Sequence, residues 1–503
     1  MSSPARPSLA AIRKLVIVGR DEALWLAANV FLTAFHRTGL EIVAVELPAT
    51  RRGAEAFATL RNQQSIHRLL ALKETPLLAV TQGTYTLGQR FAGFDPARPP
   101  FIHGYGSDGR AINRVPFHHY WVKARAGGLK AEYDDFSLNA VAARQGRFFR
   151  PDAETDAFAE CDYAYHLNAV PYIALLKQLA VTRGAVHLEA PALGEVARDA
   201  ETGHITSVGL SNGQVVGGDV FIDATGPDSL LLGQALGVGF QSWQQWFPCD
   251  RTLSVSGAPL SPLPTFSQVS AFRSGCAGQF PLRNRTAVQL VYAGAELGDA
   301  QALQAATQVT SMRVATDAVI TPFSAGRREA PWSGNCIGIG AAAAVFDPID
   351  SIGIQTIVTG LSHLTSLLPL DGHMALERKE YNLNVAAAYE RIRDYQICHY
   401  KLNRRVGEPL WDRCRDMRVP DALAYKIELF QARGHLVEYD DETFLDYDWR
   451  TMLLGHGLIP HDYDPVADQT PDAEVIQRFQ HALGFIKSRV LAMKPMEPFL
   501  AEA

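Results

Sequence analysis

The sequence lacks the patterns that would place it in several common classes of protein. Its six cysteines (161, 249, 276, 336, 398 and 414) include no C-x-x-C pair, so reduced thiols in a cytoplasmic protein are expected. Its fifteen histidines include no H-E-x-x-H motif, and we predict no metal site. No block is rich in lysine and arginine, and the formal net charge is -6, which argues against nucleic acid as a partner.

No apolar stretch has the length of a membrane helix. The longest stretches, near residues 23–35 and 336–346, are interrupted or short, whereas a membrane helix needs about 18 or more apolar residues. The first ten residues, MSSPARPSLA, lack the apolar centre of a signal peptide. We therefore expect a cytoplasmic protein with no membrane contact. With 503 residues, of which 47% are hydrophobic, the chain can bury a sizeable core.

The chain begins with the pattern of a dinucleotide-binding fold. A β-branched run over residues 15–18 meets Gly19, and an apolar helical pattern follows to residue 36. A second strand, residues 41–45, ends on Glu46. In this βαβ layout the turn binds a pyrophosphate and the acid binds the adenosine ribose. Glu46 is therefore a candidate ribose ligand, with a helix-capping or solvated carboxylate as the alternative.

The turn after the first strand departs from the G-x-G-x-x-G motif. Only Gly19 is retained, because Asp21 stands at the second glycine and Leu24 at the third. The second glycine lets the backbone approach the pyrophosphate, and the third lets helix and strand pack closely. The carboxylates of Asp21 and Glu22 suit a helix N-terminus without phosphate and compete with a phosphate that binds there. A βαβ unit that holds no nucleotide fits this turn at least as well.

Several long segments resemble the flavin-dependent tryptophan halogenases. They are F-I-D-A-T-G at 221–226, W-Q-Q-W-F-P-C-D-R at 243–251, W-S-G-N-C-I-G-I-G-A-A-A-A-V-F-D-P-I-D-S-I-G-I at 332–354, and the helical segments 381–400, 409–417 and 454–468. The resemblance covers nearly the whole chain. It implies an α/β protein with a flavoprotein-monooxygenase-like FAD-binding fold, a β-rich substrate layer and a helical C-terminal portion.

The resemblance also implies a division of the chain. Residues 1–370 are expected to form the FAD-binding-type α/β domain, with β-rich substrate segments inserted at about 85–160 and 240–325. Residues 371–503 are expected to form a helical portion packed on that domain. Within the first domain, residues 51–72 are predicted as a helix with an exposed basic face.

The family's chemistry suggests positions for each role. In that family, reduced FAD reacts with oxygen, the peroxide captures chloride or bromide, and a lysine passes the halogen to an indole-like substrate. The resemblance places the catalytic positions at Thr86 and Asp350. It places the cofactor-binding positions at Gly19, Asp21, Ala23, Leu24, Glu46, Val196, Asp223, Gly226, Asp347, Ile352, Gly353 and Ile354.

The chain departs from the family at these chemical positions. Thr86, in G-T-Y-T-L-G, replaces the lysine, and its short neutral hydroxyl cannot form a haloamine. The family's W-x-W-x-I-P signature aligns with residues 276–281, where both tryptophans are absent. Asp350 replaces a glutamate and is one methylene shorter. Ile352 replaces a threonine at the halide-binding amides, although Gly353 remains.

Three functions remain open at this stage. The leading hypothesis is a degenerate homologue that binds FAD weakly or not at all. It would bind an aromatic small molecule or peptide, an active relative, a flavin reductase or a second copy of itself. The second is an active FADH2-dependent halogenase or monooxygenase for an indole-like or other aromatic substrate, with chloride or bromide if it halogenates. The third is a pocket without flavin, in which Arg20 and Leu24 fill the cofactor groove.

Overall fold

The computed structural model of the chain describes residues 12–368 and 374–502. Its strands, in chain order, are β1 (Lys14–Gly19), β2 (Glu41–Glu46), β3 (Ala56–Ala58), β4 (Thr84–Thr86), β5 (Gly88–Ala92), β6 (Phe101–Gly104), β7 (Arg147–Phe148), β8 (Ala164–Asn168), β9 (Val186–Glu189), β10 (Leu193–Arg198), β11 (Ile205–Leu210), β12 (Val215–Gly217), β13 (Val220–Ala224), β14 (Phe240–Ser242), β15 (Arg251–Gly257), β16 (Ser267–Phe272), β17 (Gly275–Pro281), β18 (Thr286–Tyr292), β19 (Val319–Pro322), β20 (Gly326–Arg328), β21 (Trp332–Ser333), β22 (Cys336–Gly338), β23 (Ala344–Val345) and β24 (Lys494–Pro495).

The α-helices separate and cover these strands. In chain order they are α1 (Asp21–Ala34), α2 (Gln63–Leu69), α3 (Glu74–Thr81), α4 (Phe117–Ala126), α5 (Leu138–Arg144), α6 (Ala153–Phe158), α7 (Ala169–Thr182), α8 (Asp299–Thr310), α9 (Gly353–Leu367), α10 (Ala375–Lys401), α11 (Pro409–Asp416), α12 (Asp421–Arg433), α13 (Asp446–Gly455), α14 (Asp472–Ala492) and α15 (Met496–Glu502). In the described ranges, no helix combines the length and the apolar character that crossing a membrane requires.

A mainly parallel sheet carries the first strand, turn and helix. Its strand order is β21-β22-β13-β1-β2-β9, and only the edge strand β21 runs antiparallel to its neighbour. Gly19 at the end of β1 lies between Glu46 and Ala224, the last residues of β2 and β13. Since residues 15–18 are fully buried, β1 is a central strand covered on both faces. The predicted first βαβ unit is therefore confirmed.

A second, mainly antiparallel sheet lies beside the first. Its strand order is β19-β15-β18-β17-β16-β5-β6, and β16 pairs with β5 in parallel. Strands from residues 88–104 and 251–322 thus join in one sheet. These strands lie in the two segments that were predicted to form the substrate layer. The predicted domain boundary near 370 falls outside the described residues, so that division stays a prediction.

The predicted helix over residues 51–72 is wrong. Residues 56–58 form β3, which pairs with β8; β4 pairs with the opposite edge of β8. Within the predicted range, the helix covers residues 63–69. The predicted basic face is only partly exposed. Arg51 is bound by Glu22 and Glu55, and Arg61 is bound by Asp448, whereas Arg52 and Arg68 are exposed.

The last turns of α10 supply polar groups to the protein interior. Residues 392–400 are buried all round, which is typical of a core helix. In this stretch His399 and Tyr400 meet the turn before α9, and Tyr395 packs against Phe444 and Trp449. The helical C-terminal portion therefore contributes directly to the centre of the molecule.

Candidate functional site

The turn after β1 is joined to the loop after β2 by Asp21. Asp21 has a φ of 54°, a left-handed conformation that favours glycine. This agrees with the G-x-G-x-x-G motif, which has a glycine at this position. Its Oδ2 accepts hydrogen bonds from the Thr50 amide (2.9 Å), the Thr50 hydroxyl (2.6 Å) and the Arg51 amide (3.3 Å). These bonds cross the edge of the sheet where the adenosine of a dinucleotide binds.

Glu22 is paired in the same way. Arg51 Nε donates to Glu22 Oε2 at 3.1 Å, and Arg51 Nη1 donates to Glu55 at 2.8 Å. Burial alone would lower the pKa of Arg51, but the two carboxylates outweigh burial and raise it above its ordinary value. The carboxylates of Asp21 and Glu22 are therefore held toward the loop after β2, which the sequence pattern did not reveal.

Arg20 spans the opposite side of the turn. Its Nη2 lies 3.9 Å from Asp228 Oδ2 in the loop after β13, and its buried Nε has no hydrogen-bond partner among the described residues. Gly226 in the same loop faces open space, since a Cβ built there would meet no atom within 4 Å. Leu24, in contrast, is fully buried in the core, and Ala23 lies against Gly340.

Glu46 is already engaged by two side chains that sequence reasoning missed. Its Oε2 accepts hydrogen bonds from Lys177 Nζ at 2.6 Å and from His187 Nε2 at 2.8 Å. Lys177 also donates to Glu189 at 2.9 Å. Glu46, His187 and Glu189 could each direct one atom at a metal ion. Because the Lys177 ammonium group already bridges the two carboxylates, we assign no metal to this cluster.

The two predicted catalytic positions are brought together by the start of β5. Thr86 is fully buried, and its hydroxyl donates to the Gly88 carbonyl at 2.9 Å. Gln89, the next residue, donates from Nε2 to the Asp350 carbonyl at 3.0 Å. The Thr86 hydroxyl is thus satisfied locally and acts as a strand-end contact.

Asp350 is held by a pair of buried histidines. Its Oδ1 is 2.9 Å from His399 Nε2, and His399 Nδ1 is 2.8 Å from His456 Nε2. Burial lowers the pKa of His456 well below its ordinary value, so that ring is neutral. Asp350 Oδ2 is buried and has no partner within the described part of the chain. A carboxylate with one oxygen fixed and the other free can accept a proton.

Asp347 lies on the other side of the same turn. Its Oδ2 accepts a hydrogen bond from the Tyr400 hydroxyl at 2.7 Å, and its Oδ1 accepts one from the Ile349 amide at 3.1 Å. Complete burial raises the pKa of Asp347 to about 7.

We expect Asp347 to make stability depend on pH. The folded carboxyl holds its proton up to about pH 7, whereas an unfolded one loses it near about pH 3.9, so stability falls as pH rises through that window. Asp347→Asn removes this loss and should raise the melting temperature relative to wild type more at pH 8 than at pH 5. Asp317→Asn, at an exposed carboxylate, should show no such difference. Equal shifts at both pH values would contradict the assignment.

The remaining predicted cofactor positions divide into structural and open ones. Asp223 accepts bonds from Thr225 and from the amides of Leu231 and Leu232, so it braces the loop after β13. The other four positions are a half-buried residue on β10, two core residues and a glycine beside open space: Val196, Ile352, Ile354 and Gly353. Gly226 and Gly353 therefore have open space beside them, whereas a Cβ built at Gly19 would lie 2.5 Å from Ala224. The acidic positions each accept hydrogen bonds from within the protein.

A cavity of about 220 Å³ lies beside β6 and was not predicted from the sequence. Its walls include Leu60, Arg61, His103, Tyr105, Phe444 and Asp448. Arg61 donates two hydrogen bonds to Asp448, at 2.9 and 2.8 Å, and His103 Nε2 lies 2.8 Å from it. Burial would raise the pKa of Asp448, but the Arg61 guanidinium and His103 outweigh burial and lower it.

Tyr395 lies between this cavity and the histidine pair. Its ring stacks on Phe444 at 3.7 Å between ring centroids, and it is 6.2 Å from His103 and 5.8 Å from His399. Tyr395 is fully buried, and its hydroxyl has no hydrogen-bond partner in the ranges described. An unpaired buried hydroxyl is costly, and a ligand or water would satisfy it.

The comparisons with known proteins agree with this architecture. A model of the family described as tryptophan halogenase matches residues 14–472. Tryptophan 6-halogenase SttH from Streptomyces toxytricini is 27% identical over 476 residues, which cover 90% of this chain and 88% of SttH. BrvH, a flavin-dependent halogenase from Brevundimonas sp. BAL3, has a TM-score of 0.92 and 32% identity, covering 98% of this chain and 99% of BrvH. Xcc4156, a flavin-dependent halogenase from Xanthomonas campestris, has a TM-score of 0.93 and 30% identity, covering 98% of both chains.

The two sheets and the likeness to flavin-dependent halogenase structures define a flavoprotein-monooxygenase-like α/β protein. More narrowly, the chain belongs to the tryptophan halogenase family. The predicted family and the predicted fold class are thus confirmed. Membership in this family implies FAD as the cofactor and a halide as the reacting ion.

Proposed function

We propose that this protein does not transfer halogen through a lysine, binds FAD weakly or not at all, and acts as a binding protein for an aromatic small molecule. The observation that carries the proposal is the set of hydrogen bonds that Asp21 accepts from Thr50 and Arg51, which joins the turn after β1 to the loop after β2.

The side chains at the turn do not fit the adenosine and pyrophosphate end of FAD. Asp21 Oδ2 already accepts three hydrogen bonds and Glu46 Oε2 already accepts bonds from Lys177 and His187, so in our proposal a cofactor would compete with these partners. Hydrogen bonds to charged groups contribute about 1.5–3 kcal/mol each. The three at Asp21 alone are then comparable to the roughly 8 kcal/mol of a micromolar complex. FAD affinity should be low for this reason.

The halogen-transfer step lacks its amine. Thr86 stands at the lysine position, and its hydroxyl is committed to Gly88. A threonine hydroxyl cannot form a haloamine, and it is neutral, so it cannot replace the ammonium group of the lysine. The Thr86 contact therefore supports a protein that keeps the family's fold but has lost the lysine-based halogen transfer.

The cavity beside His103 supports the binding role. Its volume of about 220 Å³ and its Leu60 and Phe444 walls suit a flat aromatic ring. A peptide side chain, an active relative, a flavin reductase or a second copy of the chain remain alternative occupants or partners. The cytoplasmic location stays a prediction.

A bromination assay tests the proposed loss of function. The full chain is incubated with FAD, NADH, a flavin reductase, oxygen, bromide and indole or tryptophan, and the products are measured by mass spectrometry. SttH serves as the positive control under the same conditions. We expect no brominated product above a reaction without protein. Bromoindole or bromotryptophan formed at several turnovers per protein molecule would overturn the proposal.

The free oxygen of Asp350 supports a second candidate function. Asp350 Oδ2 is unpartnered while Oδ1 is fixed by His399, an arrangement suited to taking a proton from an aromatic substrate. This observation favours an FADH2-dependent oxygenase or a halogenase that works without lysine. Oxygen consumption by the protein with reduced flavin would then rise with added aromatic substrate and fall in Asp350→Asn.

A further inference from the structure

A buried carboxyl group joins the loop after β6 to α13. Asp108 lies in the loop between β6 and α4, and it is only 2% exposed. Its Oδ2 contacts the hydroxyl of Thr451, a buried residue of α13. The two residues are 343 positions apart in the chain. Their contact therefore fixes this loop onto a helix of the C-terminal portion.

The number of protons available at this contact favours a protonated Asp108. The Thr451 hydroxyl also lies 2.9 Å from the Tyr447 carbonyl oxygen, one helical turn earlier. A hydroxyl has one proton to donate, whereas an ionised Asp108 and the Tyr447 carbonyl would both need to accept it. If Asp108 carries a proton, both contacts are hydrogen bonds, because Asp108 donates to Thr451 and Thr451 donates to Tyr447.

Burial favours the protonated form as well. Asp108 Oδ1 is buried and makes no hydrogen bond in the part of the chain that the structure describes. Burial raises the pKa of Asp108 to about 7, although contacts with Thr451 and Ser137 act in the opposite direction. An ionised carboxylate would be a buried charge with one oxygen unpaired, which is far more costly than a neutral carboxyl group.

The groups around Asp108 do not supply a free positive charge. The titratable side chains that face it come from the 3₁₀ turn before α5, the segment before β8, and α13: Tyr133, Asp134, Cys161 and Arg450. Asp134 is bonded to Arg144, and Arg450 is paired with Asp446. Burial raises the pKa values of Tyr133 and Cys161, so both are neutral at pH 7. These surroundings favour a neutral Asp108.

The two segments that Asp108 joins carry walls of the cavity beside β6. His103 and Tyr105, just before Asp108 in the chain, line this cavity. Asp448, three residues before Thr451, lines it from α13. A movement of the loop relative to α13 would therefore change the shape of the cavity.

We propose that Asp108 and Thr451 form a proton-dependent clasp, which holds the loop after β6 on α13 while Asp108 is protonated and loosens as Asp108 releases its proton to solvent. An Asp108 exposed by opening loses its proton above about pH 3.9, whereas in the closed loop it keeps that proton up to about pH 7. Opening is therefore favoured increasingly between about pH 4 and about pH 7, by at most about tenfold per pH unit, and no further at higher pH. The clasp is a property of the fold and does not depend on the proposed function.

Hydrogen exchange followed by mass spectrometry tests this pH dependence. The full chain is labelled at pH 5, 6 and 7, and each exchange rate is divided by the intrinsic rate at that pH. The amides of Ser107 and Gly109, which bond to the carbonyls of Glu160 and Phe136, report on the loop. We expect their corrected exchange to rise severalfold, up to about tenfold, per pH unit. Corrected rates that stay constant from pH 5 to pH 7 would overturn the inference.

Asp108→Asn tests whether the proton on Asp108 is responsible. The asparagine amide can donate to Thr451 at every pH, so we expect slow loop exchange that does not change between pH 5 and pH 7. Asp347→Asn is the matched control, because burial raises the pKa of that distant aspartate to about 7 as well. It should keep the wild-type pH dependence of the loop. A pH-dependent loop in Asp108→Asn, or a pH-independent loop in Asp347→Asn, would contradict the assignment to Asp108.

A second pair of variants tests the hydroxyl of Thr451. Thr451→Ser keeps the hydroxyl that accepts the Asp108 proton, whereas Thr451→Val keeps the shape of threonine without it. We expect Thr451→Ser to exchange slowly at pH 5 and Thr451→Val to exchange about tenfold faster there. Melting temperatures check that both variants are folded. Equal loop exchange in the two variants at pH 5 would overturn the proposed clasp.

Discussion

Arg61→Leu is expected to destabilise the fold by about 3–5 kcal/mol. The substitution removes both Arg61 hydrogen bonds to Asp448, whose side chain is 1% exposed, and leaves that buried carboxylate with His103 and the Leu445 amide as its partners and without the guanidinium charge. An uncompensated buried charge is far more costly than a lost surface contact. Urea unfolding followed by tryptophan fluorescence measures the effect, since Trp449 is the residue next to Asp448.

Arg68→Leu is the matched control for this prediction. Arg68 is an exposed arginine on α2 that donates a hydrogen bond to Ser65, so its replacement should change stability by less than about 0.5 kcal/mol. A comparable loss in both variants would mean that general surface effects, not the Asp448 pair, determine the result.

Asp21→Gly is expected to raise the affinity for FAD by about tenfold or more. Glycine keeps the φ of 54° at that position without strain, and its substitution removes both the carboxylate and the bonds to Thr50. Flavin fluorescence quenching measures the dissociation constant. Asp441→Gly is matched in backbone, because Asp441 is an exposed aspartate with a φ of 60°, and it should leave FAD affinity unchanged. Equal effects in the two variants would contradict the role of Asp21.

The sequence predicts the framework well because the framework depends on local patterns. The buried run before Gly19 and the apolar periodicity after it are sufficient to predict β1, α1 and β2. The same reasoning fails over residues 51–72. The pairing of Ala56–Ala58 with a strand more than 100 residues later overrides the helical pattern there.

The chemical state of the site depends on distant partners and was harder to predict. Sequence alone places Asp21 beside a phosphate position but does not reveal that Thr50, 29 residues away, binds its carboxylate. Likewise, the pattern around Asp350 gives no sign of His399. The cavity beside His103 combines residues from three distant parts of the chain, so no local motif describes it.

The most direct test is titration of the full chain with oxidised and with reduced FAD. The bonds from Asp21, Glu22 and Glu46 to neighbouring side chains and amides lead us to expect dissociation constants of about 100 µM or weaker for both forms, and no flavin absorbance after dialysis. Stoichiometric binding of either form with a dissociation constant near 1 µM or below would contradict the account.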